Sequence, residues 1–147
     1  MGAHRIPDAI PPDLADRLRA RFGDWPLVAQ WGVTLAELQP GRAELHLGAG
    51  ANVTNGPRGQ INGGVLAALT DLASALALST AFDGRMPFAT ADLHIRYLEP
   101  ALEAVAARAG VVRLSGRSAV VECRILSRRE LACLGTAHFA IRRGLGG

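Results

Sequence analysis

Not one lysine occurs in the 147 residues; all 16 basic side chains are arginine. Arginine favours bidentate contacts to phosphate or carboxylate over the diffuse attraction of a flexible ammonium group. The arginines form no long run and 13 acids nearly balance them, so no nucleic-acid face is expected and the net charge of +3 suits an anionic small molecule better. Aromatic residues are also scarce, at 5%. The core must therefore rest on Leu, Val and Ala, and a small domain of that kind often completes its burial by forming a homo-oligomer, here a dimer or a dimer of dimers. There are two cysteines, Cys123 and Cys133, and no CxxC or Cys/His cluster, so no metal site is expected. They fall in the two strands of an expected hairpin, facing each other or serving as small core residues in a reducing cytoplasm. Residues 1–12 hold no apolar segment of the kind that directs secretion. No G-x-S-x-G is present, which leaves a serine-hydrolase reading without its nucleophile turn.

What the chain does have is one long apolar run, Val65 to Phe82, between stretches of alternating residues. Its length approaches that of a membrane span. Asp71 near its centre and its content of Ala, Ser and Thr point instead to a buried helix, with no membrane partner. Residues 1–12 are expected to be a flexible leader, 13–143 one domain and 144–147 a tail. Within the domain, Leu14, Leu18 and Phe22 mark a short amphipathic helix ended by Gly23. Leu27 to Leu47 reads as a hairpin turning at Pro40-Gly41. Gly48 to Gly64 is a long Gly-rich connection; its GAGANV segment lacks the third glycine of a dinucleotide fingerprint. After the helix, Ala91, Leu93, Ile95 and Tyr97 alternate with Asp92, His94 and Arg96. Strands follow over 103–114, 118–126 and 131–142, with Gly135 marking a bend or bulge. Four strands without intervening helices imply an antiparallel sheet. The expected fold is α+β: about six antiparallel strands wrapped around the long helix, a hotdog fold, with a short N-terminal helix.

Asp71 is the only charge on the long helix, and its neighbours at helical spacing, Ala67, Ala68, Ser74 and Ala75, are all small. An acid in such a place leaves room for a ligand, and desolvation makes it a useful base near neutral pH unless hydrogen bonds offset the effect. It reads equally as a structural acid bonded to backbone at an interface. Asn62-Gly63-Gly64 opens the helix, where free N–H groups and the helix dipole can stabilise a developing oxyanion. A turn needing positive φ would also explain both glycines. His46, His94 and His138 have no ligand spacing, and Asp92 and Arg96 share a strand face as solvated or interface groups.

The stretch INGGVLAALTDLASALAL, followed by ATADLHIRYLEPA, resembles the hotdog thioesterases of the phenylacetate-degradation (PaaI-like) type. In that family a loop Asn precedes a His-Gly-Gly that opens the central helix, an acid follows nine residues after the His, and a T-x-D-L-x-I-x-Y/F-x-x-P strand comes next. Here Asp71 lies nine residues after Asn62, and Thr90, Asp92, Leu93, Ile95, Tyr97 and Pro100 fit the strand. The resemblance implies an acyl-CoA thioesterase, acting on aryl or medium-chain substrates with no cofactor beyond the coenzyme A of the substrate itself. Asp71 would be general base or nucleophile, Gly63 and Gly64 would polarise the carbonyl, and Thr90 would orient water or the carboxylate. The site would lie between subunits, Asp71 of one chain facing the glycine turn of another. Ser74 would contact substrate, and Arg113 and Arg117, near the turn Leu114–Ser118, would take the nucleotide phosphates. Two departures stand out. The family's His is Asn62, which cannot act as a general acid. Gly56 holds the place of the upstream Asn, so Asn55 fills that role only if the loop carries an insertion. The Asn62 departure also suits a non-catalytic acyl-CoA-binding protein; a hotdog dehydratase ranks last because the helix lacks a His.

Overall fold

The computed structural model describes residues 4–143; the first three residues of the expected leader and all of the expected tail, 144–147, lie outside the described residues. Helix α1, Leu14–Gly23, buries Leu14, Leu18 and Phe22 along one stripe, as the spacing predicts. The next segment departs from expectation. Residues 27–33, read as the start of a strand, instead form most of a second helix, α2, Pro26–Trp31. Pro26 sits in its first turn, where a missing N–H costs nothing, and Gly32 closes it at φ 72 with its N–H on the Val28 carbonyl. The hairpin therefore begins later, as β1 (Thr34–Gln39) and β2 (Arg42–Leu47), with Gly41 at φ 68 in the turn. The Gly-rich connection carries a small hairpin of its own, β3 (Thr54–Asn55) and β4 (Gln60–Ile61), before α3, Gly63–Ser79, and a 3-10 turn over Thr80–Phe82. Strands β5 (Phe88–Tyr97), β6 (Val105–Leu114), β7 (Ser118–Ser127) and β8 (Glu130–Ile141) complete the chain.

Six strands form one antiparallel sheet in the order β1-β2-β6-β7-β8-β5. The sheet curves around α3, whose Leu69, Ala73, Leu76 and Ala77 are fully buried. The stretch Gly63–Phe82 is long and apolar enough to cross a membrane, but 67% of it is buried within the fold, the signature of a core helix. Small sheet residues make this close approach possible: Ala107, Ala109, Ala119 and Ala137 are buried on the face that meets the helix. Gly135 is the extreme case. It pairs in regular register with Ile95 and Cys123, so it marks no bulge. A Cβ there would sit 2.6 Å from Thr70 Cγ2 of α3, which explains the glycine as a point of helix–sheet contact.

Bulges do occur, at Leu35/Glu37, Val111/Arg113, Ile125/Leu126 and Thr90/Asp92. The last one matters most for the site. Before it, Phe88 and Thr90 pair with the core-facing Ile141 and Phe139; after it, Leu93 pairs with the core-facing Ala137 while Asp92 and His138 meet on the outer face. The extra residue, Ala91, exchanges the two faces of the strand.

Both cysteines are free and buried. Cys123 opposes Gly135 and Cys133 opposes Ile125, so the two thiols lie on a diagonal one row apart rather than face to face. Burial pushes the Cys123 thiol up to about 12 and the Cys133 thiol up to about 11, which keeps both protonated. Of the expected leader, the His4 ring lies 4.9 Å from that of Phe82, Ile6 is partly buried and Ile10 packs on the core.

Candidate active site

Asp71 projects from the middle of α3 and is half-buried. Its Oδ1 accepts a 2.7 Å hydrogen bond from Thr90 Oγ1 on β5. The sequence alternation alone would put Thr90 on the outer face with Asp92 and His94; the Ala91 bulge turns it toward the helix. Ala67, Ala68 and Ala75 leave the surroundings of the carboxylate open, each only partly buried.

Asn62 is the N-cap of α3: its side-chain oxygen accepts from Gly64 N at 2.8 Å and from Val65 N at 3.3 Å. Its backbone oxygen takes Leu66 N at 3.1 Å. Of the four N–H groups that a helix start leaves without internal partners, only that of Gly63 has no acceptor among the described residues. Neither Gly63 nor Gly64 has positive φ, so turn geometry of that kind does not explain the pair. Gly64 is glycine because a Cβ would press to 3.0 Å on the capping Asn62 oxygen. Over Gly63 lies the ring of Tyr97, whose hydroxyl donates to Gly63 O at 2.6 Å. Tyr97 fits the strand motif, but sequence reasoning did not single it out as a site residue.

The Gly63 turn and Asp71 are eight residues apart on one helix, about 12 Å at 1.5 Å per residue. The same protomer cannot apply both to one carbonyl. Ser74, an expected substrate contact, is fully buried and its hydroxyl has no partner among the described residues. It differs in this from Thr70 and Ser79, whose hydroxyls bond back to helix carbonyls. Asn55 is exposed in the β3–β4 hairpin opposite Gln60, and Gly56 stands in its turn at φ 75. The Gln60 side-chain oxygen is buried beside Gly56 with no partner among the described residues, a feature the sequence did not reveal.

Arg113 and Arg117 are exposed at the β6–β7 end, and neither forms an ion pair among the described residues. Pairing Thr90↔Phe139↔Ala119↔Leu114 puts that turn in the same row as Thr90, three strands away or about 14 Å. The structure thus groups Asp71 and Thr90 tightly, with the two arginines at the same end of the sheet and the Gly63 turn toward the other. Two clefts, of about 610 and 570 Å³, involve Glu37, Arg42, Glu44 and Arg108 in one and His46, Arg108, Arg128 and Arg129 in the other. Asp71, Thr90 and Gly63 line neither. Of the histidines, His46 pairs with Glu44 and His138 with Asp92.

Comparison with known proteins agrees with this architecture. Residues 58–133 match the thioesterase superfamily. An esterase-named protein of Halobacterium salinarum is 30% identical over 136 residues, 90% of each chain. Among solved structures, a point variant of the phenylacetic acid degradation protein PaaI from Thermus thermophilus is 30% identical, with TM-score 0.72 over 80% of this chain and 100% of that one. PaaI of Escherichia coli shares the fold at TM-score 0.79 and 18% identity, over 90% and 95% of the two chains. With its six-stranded antiparallel sheet around one long helix and these matches, the chain belongs to the thioesterase superfamily, as a thioester hydrolase of the PaaI-like hotdog type.

Proposed function

We propose that the protein hydrolyses an acyl-CoA thioester, aryl or medium-chain, at sites formed between two copies of the chain. The observation that carries this reading is the half-buried Asp71 carboxylate held by Thr90 at 2.7 Å on a helix face of small residues. Asp71 would take a proton from water as the water oxygen adds to the thioester carbonyl. The Gly63 N–H of the second copy would meet the developing oxyanion, with the Asn62 amide nitrogen as a further donor, since its oxygen is taken by the cap. Collapse of the adduct releases the carboxylic acid and a thiolate that recovers the proton from Asp71. Thr90 would orient the carboxylate. Direct attack by Asp71 to give an anhydride is the variant of the same assignment. The chemistry calls for no metal or redox cofactor. Arg113 and Arg117 would take the phosphates of the coenzyme, and Asn55, Gly56 and Ser74 would border the acyl end.

Geometry supports the second copy. Among the described residues strand β5 pairs with β8 alone, and most of its residues are exposed. A free edge of ten residues is a template for another strand. In an antiparallel pair, opposed residues share a face. A two-fold axis near His94 would therefore set Tyr97 of one copy against the Thr90–Ala91 bulge of the other, bringing the Gly63 turn to Asp71. The buried free thiols suit a reducing compartment, so the location we infer is cytoplasmic.

The test is Asp71→Asn in a free-thiol assay across an acyl-CoA panel. Loss of acid–base catalysis should lower kcat at least about a hundredfold, with the oligomer intact. Full activity in that variant would overturn the assignment. The use of Asn62 as a cap, with no imidazole in its place, favours one rival: a protein that binds acyl-CoA without cleaving it. Tight binding by the wild type with no thiol release would establish that rival.

A further inference from the structure

Two glycines open α3, and glycine loses more backbone freedom on ordering than any other residue. The turn that should present a fixed N–H to the substrate is thus made of the residues least able to fix it. Asn62 grips Gly64 and Val65 from the N-terminal side. Gly63, whose own N–H has no acceptor among the described residues, is gripped by a different element. Tyr97 at the end of β5 donates to Gly63 O at 2.6 Å, and its ring atoms lie 3.4 Å from where a Gly63 Cβ would be. Tyr97 is 55% exposed, so burial of its ring does not explain its placement. Partial desolvation of the hydroxyl, with Cys133 nearby, pushes the phenol above its ordinary value, so it keeps the proton it donates.

We propose that Tyr97 is a positioning residue for the thioester-binding turn, its hydroxyl holding the Gly63 peptide so that the Gly63 N–H points at the substrate carbonyl. The inference rests on the thioesterase reading given above. One strand then sets both halves of the chemistry, because β5 carries Thr90 for Asp71 at one end and Tyr97 for Gly63 at the other. Tyr97 touches no reacting atom. A donor fixed before reaction stabilises charge without reorganising, and that advantage is lost when the donor must be ordered during each turnover.

Tyr97→Phe keeps the ring over Gly63 and removes only the hydroxyl. Two measurements test it: steady-state thiol release and amide hydrogen exchange over residues 62–66, both on the intact oligomer. We expect kcat to fall about tenfold, one decade of transition-state stabilisation, with KM within about twofold, and faster exchange at Gly64–Leu66. A wild-type kcat in Tyr97→Phe overturns the proposal, and so does a raised KM at unchanged kcat, which would make Tyr97 a substrate contact. Loss of activity in Asp71→Asn beside a wild-type Tyr97→Phe refutes the role of Tyr97 alone. An active Asp71→Asn beside a slowed Tyr97→Phe refutes that of Asp71 alone.

Discussion

Replacing Gly135 by alanine tests how the sheet holds the catalytic helix. The added Cβ would lie 2.6 Å from Thr70 Cγ2, whereas carbon atoms in contact settle at about 3.5–4.0 Å. Thr70 cannot turn aside, since it is fully buried and its Oγ1 is bonded to Leu66 O at 3.0 Å. The helix or the strand must therefore yield by about 1 Å, at a cost of about 1–3 kcal/mol. Thr70→Ser removes the opposing methyl and alone should cost about 1 kcal/mol. In the double variant the methyl leaves one side of the contact and arrives on the other, so the two effects should fall short of additivity by at least about 1 kcal/mol. Urea unfolding followed by circular dichroism, at one fixed protomer concentration, measures all four proteins. Asp71 is the next residue along α3, so the same displacement should stretch its 2.7 Å bond to Thr90 and lower kcat about tenfold in Gly135→Ala, with recovery in the double variant. A Gly135→Ala protein within about 0.3 kcal/mol of wild type, or a strictly additive pair, would refute the close-contact account.

Two more outcomes follow from the local geometry. Asn62→Ala should lose about 1 kcal/mol of stability with its capping bonds, while Asn62→Asp, which keeps a capping oxygen, should not; thermal melts distinguish them. Burial pushes the Glu44 carboxyl up, but hydrogen bonds from His46 and Arg108 outweigh it and leave the group below its ordinary 4.5. A lowered native value means the ionised form contributes fully above pH 4.5, and the contribution disappears as pH falls through the native value. The stability gap between wild type and Glu44→Gln should accordingly narrow on acidification below pH 4.5, and a gap constant with pH would contradict this.

The frame of the molecule was legible because its signals are long. An apolar run with one charge gives a buried helix, and four alternating stretches without helices between them give an antiparallel sheet. Helix α2 was hidden by its length: six residues hold less than two turns, and Leu27 and Val28 suit a strand equally well. Asp71 stood out as the lone charge on α3, yet its partner required a one-residue irregularity. Thr90 shares parity with Asp92, and only their assignment to opposite faces would have betrayed the bulge. Gly135 and Gly64 read as backbone devices, whereas each instead makes room for a particular neighbour, Thr70 and the Asn62 oxygen. Such contacts join residues that sequence spacing cannot relate. The meeting of Asp71 with a glycine turn is less legible still, since the two are too far apart within one chain.

Ala91 has a wider consequence. A strand carrying one surplus residue can lose that residue, but not its neighbours, without changing faces. Deleting Ala91 would leave Thr90 opposite Phe139 and Asp92 opposite His138 in plain alternation, whereas losing a residue beyond the bulge would either turn Ile95 and Tyr97 outward or close the bulge and swing Asp92 toward the core. Ala91 is therefore the one place in the stretch from Thr90 to Tyr97 where a single deletion should leave every other residue on its own face of the pleat.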